Sequence, residues 1–268
     1  MTHSSRRGKG LFSAVALAAA AFLLSACTAS LNEQRLPVPA AQPADTGLEP
    51  TQAPNWDRLA ELPWPQGGQQ TYKSYDDSRR IFWSKLYPEG GTELYCGIGF
   101  DAARRATVPG QKLSVEHAFP ADAIAETAPG CTDRTCKEGR VQRAMADLQN
   151  LWPALQSVNS SRGRTKFGVL PASTKPRFPD VCPAFRRDAG PPPLVEPRDT
   201  VKGDVARSLV YMHFVYGLPL EQAVSDKDLL LTWMRLDPPD AEEVRRNALI
   251  DQLQGTTNPL LDPAFMGM

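Results

Sequence analysis

One of the three histidines in this chain stands beside a carboxylate, in Ser114-Val115-Glu116-His117-Ala118-Phe119-Pro120-Ala121. His3 falls in an N-terminal leader and His213 in an apolar-striped helical segment, so two imidazoles remain for acid–base chemistry in a mature protein. Further along come Asp147-Leu148-Gln149-Asn150-Leu151-Trp152-Pro153-Ala154 and then Val158-Asn159-Ser160-Ser161-Arg162. A carboxylate, an amide oxygen and an imidazole are what a hard divalent cation beside a general base requires. A zinc centre needs more nitrogen and sulfur ligands than two histidines and paired cysteines provide. Taken alone, His117 at a strand end reads as a structural histidine, and His213 reads as part of a helix face.

The elements around these residues follow from local pattern. Residues 113–119 read as a short strand stopped by Pro120. Adjacent residues of a regular strand face opposite sides. Glu116 and His117 can therefore share one site only if the backbone departs from regular β there. Residues 139–148 read as a helix, and Pro153 suits the first turn of another that carries Asn159. Residues 78–87 have helical spacing with Ser78 able to cap, and residues 92–100 alternate as a strand. Residues 202–216 form an amphipathic helix, with Val205, Leu209, Met212 and Val215 in a stripe and Gly217 as its stop. Residues 220–237 and 240–253 continue as helices, whereas the proline-rich stretch 171–197 reads as a long connection. Strands and helices are segregated, so the expected class is α+β.

Residues 1–26 have the form of a signal peptide. Arg6, Arg7 and Lys9 precede an apolar run that ends in Leu24-Ser25-Ala26-Cys27. Small residues before a cysteine resemble a bacterial lipoprotein signal, with Cys27 as the lipidated first residue. The plainer alternative is an ordinary signal peptide. Residues 27–70 are rich in Pro, Ala, Gln and Thr and read as a tether to the folded domain, part of which Trp56 and Trp64 could dock. Residues 71–263 suit one domain.

Setting Cys27 aside leaves Cys96, Cys131, Cys136 and Cys182. An even number in an exported chain points to disulfides, and four cysteines allow three pairings. A Cys131–Cys136 pair would close a small loop and leave Cys96–Cys182 to cross-link distant segments. The formal net charge is zero, so global charge gives no sign of a nucleic-acid partner. Locally, Arg134, Lys137, Arg140, Arg143, Arg162, Arg164 and Lys166 outnumber Asp133, Glu138 and Asp147 between residues 131 and 168. Such a basic strip fits a phosphate contact or a solvated face equally well.

Together these motifs resemble the bacterial endonuclease I family, exported nucleases with a His-Me-finger (ββα-metal) site. The resemblance runs from about Asp77 to Asp262. It rests on Leu94-Tyr95-Cys96-Gly97, Glu116-His117 with Pro120-Ala121, the Asp147 to Ala154 motif, Val158-Asn159 and Arg162. It continues through Glu196-Pro197, Lys202-Gly203-Asp204-Val205-Ala206-Arg207, Tyr211-Met212, Gln254-Gly255 and Asn258-Pro259. The resemblance implies a ββα-metal core embedded in a mainly helical single domain. It implies His117 as general base, and Glu116 and Asn159 as ligands of one Mg²⁺-type ion, with Mn²⁺ or Ca²⁺ as substitutes. Arg134, in the loop between Cys131 and Cys136, is similar in position to a phosphate-contacting arginine. The chain departs from the family's usual residues at Val115, Gln149 and Ser160-Ser161, none of which is the base or a metal ligand. The implied activity is sequence-nonspecific endonucleolytic hydrolysis of DNA, and of RNA too, giving 5′-phosphate products. The competing expectation is a nucleic-acid-binding surface lipoprotein without catalysis. Nothing in the sequence makes a case for an oligomer.

Overall fold

The computed structural model describes residues 55–262. The leader and Cys27 lie outside the described residues. Residues 55–70, expected to belong to the tether, instead pack on the domain. Helix α1 (Trp56–Ala60) is capped by the Asn55 side chain, and Leu59, Leu62 and Trp64 enter the main core. The Trp64 ring stacks on Phe214 at 4.9 Å, and the Gln69 amide donates to Tyr216 Oη at 3.0 Å.

Mixed helices and small sheets make the class α+β. Helix α2 (Tyr75–Ile81) starts at Ser74, whose side chain accepts from the Asp77 amide. Ser78 is therefore a buried helix residue and not the cap. A π-helical turn at Phe82–Leu86 extends it. The strand expected over 92–100 is a hairpin of β1 (Gly90–Thr92) and β2 (Gly99–Asp101). Between them Glu93 breaks the strand, because its buried carboxylate accepts from the amides of Tyr95, Cys96 and Ile98. Strand β3 (Leu113–His117), α3 (Ala121–Ala125) and α4 (Gly139–Met145) follow.

Pro153 lies in strand β4 (Leu151–Leu155), not in a helix. Its residues pair with β3 and are all buried. The Pro153 carbonyl accepts from the Leu94 amide at 2.8 Å, on the side away from β3. The ring's missing N–H would point the same way, so the ladder loses nothing. Helix α5 (Gln156–Arg162) follows at once.

The connection expected over 171–197 contains three strands, β6 (Pro176–Phe178), β7 (Cys182–Arg187) and β8 (Leu194–Glu196). With β5 (Lys166–Phe167) they form a sheet in the order β5-β8-β7-β6. Most of its prolines open a strand or lie between strands, where a missing N–H costs little, and Pro183 is the second residue of β7. The Cys96–Cys182 disulfide ties this sheet to the hairpin loop, and Cys131–Cys136 closes a local loop.

The core is organised on α6 (Lys202–Tyr216), which Gly217 ends in the left-handed conformation. Helix α7 (Asp228–Leu236) packs against it, with Trp233 buried. Helix α8 (Ala241–Gln254), capped by Asp240, closes a second cluster through Ile250, Phe82 and Tyr87. Arg207 is buried and engages Asp204 at 3.5 Å and, more closely, Glu243.

Candidate active site

Strands β3 and β4 run antiparallel, with Glu116 opposite Trp152 and His117 opposite Leu151. Helix α5 then turns back across β3. The Gln156 amide, in its first turn, donates to Lys112 O at 2.8 Å, and Gly163 ends the helix at φ 52°. Asn159 and Arg162 are three apart, so they share one face, and that face meets β3.

Glu116 is 2% exposed. Tyr95 Oη donates to its Oε1 at 2.7 Å, and Arg162 Nη1 lies 3.0 Å from the same oxygen. Oε2 has no partner among the described residues. Burial pushes the Glu116 carboxyl up from its ordinary pKa, while Arg162 and Tyr95 pull it back. Arg162 also donates to the carbonyls of His117 at 2.9 Å and Ala118 at 2.6 Å. It thereby fixes the backbone that immediately follows the His117 Cα.

The His117 ring is partly buried. Its Nε2 lies 2.8 Å from Met145 O at the end of α4. A carbonyl only accepts, so Nε2 carries the proton and Nδ1 is the basic nitrogen. Burial lowers the imidazole pKa to about 4, a shift that Arg134 and Arg162 reinforce and the Met145 carbonyl opposes. The Tyr75 ring packs at 4.8 Å and holds the imidazole from the other side.

Asn159 Nδ2 donates to Val115 O and Ser114 Oγ, each at 3.0 Å. Because Val115 O is a carbonyl, the amide orientation is determined, and Oδ1 stays without a partner among the described residues. This contact also corrects the expectation of a broken strand. Glu116 and His117 both keep regular pairing with β4. They stand on opposite faces of β3 and straddle its outer edge, where Asn159 covers the Val115 carbonyl. A cleft of about 610 Å³ runs along that edge and is lined by both.

Arg134 and Asn159 line the same cleft, so four sequence-nominated residues meet in one place. The Arg134 side chain is 72% exposed and pairs with Asp122 at 3.2 Å. His213 lies elsewhere, with Nδ1 on Leu218 O at 2.8 Å. Sequence reasoning missed the parts played by Tyr75, Tyr95 and Arg162. Tyr95 and Arg162 were visible only as members of short motifs, and Tyr75 carried no signal.

No group of three or more His, Cys, Asp or Glu gathers as a metal cluster among the described residues. Two residues that line the cleft each keep an oxygen without a partner among the described residues, Glu116 Oε2 and Asn159 Oδ1. That donor set suits a hard cation that keeps most of its waters.

The Endonuclease I family model matches residues 76–264, and the chain belongs to that family. An extracellular deoxyribonuclease of Aeromonas hydrophila is 30% identical over 198 residues, covering 67% of this chain and 84% of that protein. A periplasmic deoxyribonuclease of the same organism is 27% identical over 66% of this chain and 81% of its own length. An extracellular ribonuclease of Bacillus amyloliquefaciens is 36% identical over 43% of each chain.

Proposed function

We propose that this chain is a metal-dependent, largely sequence-nonspecific endonuclease of the His-Me-finger type. It hydrolyses phosphodiester bonds of DNA, and of RNA as well, leaving 5′-phosphates. The observation that carries the reading is that three residues lining one cleft each keep an atom without a partner among the described residues: His117 Nδ1, Glu116 Oε2 and Asn159 Oδ1. The strand–strand–helix order of β3, β4 and α5 supports the reading as a ββα-metal unit.

His117 Nδ1 takes a proton from the attacking water, and the bond from Nε2–H to Met145 O keeps the ring in the tautomer that can do so. Glu116 and Asn159 would hold a Mg²⁺-type ion, which would stabilise charge on the phosphate. Arg162 balances the carboxylate and fixes its direction. Arg134, on the exposed side of the cleft, supplies a positive charge for a phosphate oxygen. Tyr75 and Met145 O are positioning groups for the base.

The relatives' names support export, and the leader supports attachment through lipid at Cys27. Their deoxyribonuclease and ribonuclease names support action on both nucleic acids. The competing reading, a binding lipoprotein without catalysis, predicts metal-stimulated DNA binding and intact plasmid. Incubation of the purified protein with plasmid decides between them. Cutting that vanishes with EDTA, and in a folded His117→Ala variant, supports the enzyme; binding without cutting by the wild type overturns it.

A further inference from the structure

The catalytic cleft does not end at Gln156. That residue also lines a second groove of about 610 Å³, walled by Arg104, Arg105, Lys112 and Leu113. The two depressions therefore adjoin along β3. Lys112 precedes the strand, bridged to Arg105 across it. With a two-residue repeat, Lys112, Ser114 and Glu116 share one face of the chain. Lys112 stands about 13 Å along the strand from Glu116, close to four steps of duplex DNA at about 3.4 Å each.

The charges in this groove are unevenly spent. Asp101 neutralises Arg105 by accepting from its Nε at 2.7 Å, and its other oxygen accepts from the Arg105 backbone amide at 2.9 Å. Arg104 and Lys112 are exposed and have no carboxylate partner among the described residues. Arg104 is also the one non-glycine residue with positive φ, 61°, among the described residues. An L-residue reaches that conformation at a cost, and the turn that imposes it is closed by its own amide on Asp101 O at 2.7 Å. Its guanidinium sits 5.7 Å from the Trp83 ring centre, which steadies the side chain. The turn thus separates two neighbouring arginines, one neutralised and one free.

We propose that Arg104 and Lys112 form a phosphate-binding subsite, remote from the scissile bond, that tracks the nucleic-acid backbone beyond the catalytic cleft. It rests on the reading of the cleft as a nuclease site. Together with Arg134 and Lys137, which line the catalytic cleft, it gives the substrate a second basic contact in the adjoining groove. A subsite of this kind contributes to long substrates and not to those too short to reach it.

The test uses Arg104→Glu and Lys112→Glu, singly and together, with Arg104→Lys as the charge-preserving control and circular dichroism to confirm folding. Cleavage of a duplex of about 20 base pairs is compared with that of a strand of about four nucleotides. Neutralising two phosphate contacts lowers the slope of log K against log salt by about 1.8. The double variant is expected to show that loss in duplex binding and a roughly tenfold or greater fall in the long-to-short ratio of kcat/KM; Arg104→Lys retains most of both. An unchanged ratio and salt slope overturns the subsite while leaving the nuclease reading standing. A wild type that binds duplex with the slope sensitive to these residues, yet cuts nothing, overturns the nuclease reading alone. A wild type that neither binds nor cuts overturns both.

Discussion

Arg162 Nη1 and Glu116 Oε1 meet at 3.0 Å with their side chains 1% and 3% exposed. The pair joins the last residue of α5 to the end of β3, and the same guanidinium holds the carbonyls of His117 and Ala118. Removing it strands a buried carboxylate and two buried carbonyls at once. Arg162→Met is expected to cost roughly 3–5 kcal/mol in unfolding free energy. Urea denaturation measures this; a loss well under 1 kcal/mol would show that the pair is dispensable.

The His117 imidazole, with its pKa lowered to about 4 by burial, stays neutral well below its ordinary 6.5. A depressed pKa means the unfolded chain binds the proton more readily. This group's contribution to stability is therefore present above about pH 6.5 and disappears as pH falls toward 4. Activity should keep its base functional through the same window. A pH profile of kcat/KM is expected to show its acid limb below 6; a limb centred at 6.5 contradicts the buried, neutral imidazole.

Asn159 acts on the cleft through Oδ1 and on β3 through Nδ2. Asn159→Asp keeps an oxygen for a cation but loses donation to Val115 O. It is expected to retain measurable metal-dependent cleavage while unfolding about 1–2 kcal/mol more easily. Asn159→Ala loses both, and the Mg²⁺ concentration for half-maximal activity should rise at least tenfold. Titrations that superimpose on the wild type would remove Asn159 from the ligand set.

The two disulfides differ in what they hold. Cys96–Cys182 spans 86 residues and Cys131–Cys136 only five. Loop-closure entropy gives roughly 4–5 kcal/mol for the first and about 2 kcal/mol for the second. Replacing Cys96 and Cys182 by serine should lower the melting temperature more. Replacing Cys131 and Cys136 should lower cleavage more than stability, because Arg134 sits in that loop. Calorimetry and plasmid nicking on both variants separate the effects.

Much of the site was legible because its groups are chemically rare. A histidine beside a glutamate is conspicuous when the chain has three histidines, and α6 showed through the regular spacing of Val205, Leu209, Met212 and Val215. Pro153 misled because local preference puts proline in a helix's first turn, whereas tertiary pairing here uses a buried position of β4 whose missing N–H faces away from β3. Glu93 misled in another way: a carboxylate within an alternating stretch folds the chain around itself by accepting several amides. The strands of 171–197 were hidden by their prolines. The Lys202-to-Arg207 motif is explained by packing. A Cβ on Gly203 would lie 1.9 Å from Asp237 O, and Arg207 and Asp204 belong to a buried charge cluster with Glu243.

The acceptor that sets the tautomer of His117 is the main-chain oxygen of Met145. Every amino acid offers that oxygen, so no single replacement of the Met145 side chain deletes it. The protonation pattern of the ring is inherited from the path of the chain, and sequence drift at position 145 can alter core packing while leaving the imidazole's polarity in place. A designer wishing to invert the ring would have to displace the end of α4, since editing its letters alone leaves the carbonyl where it is.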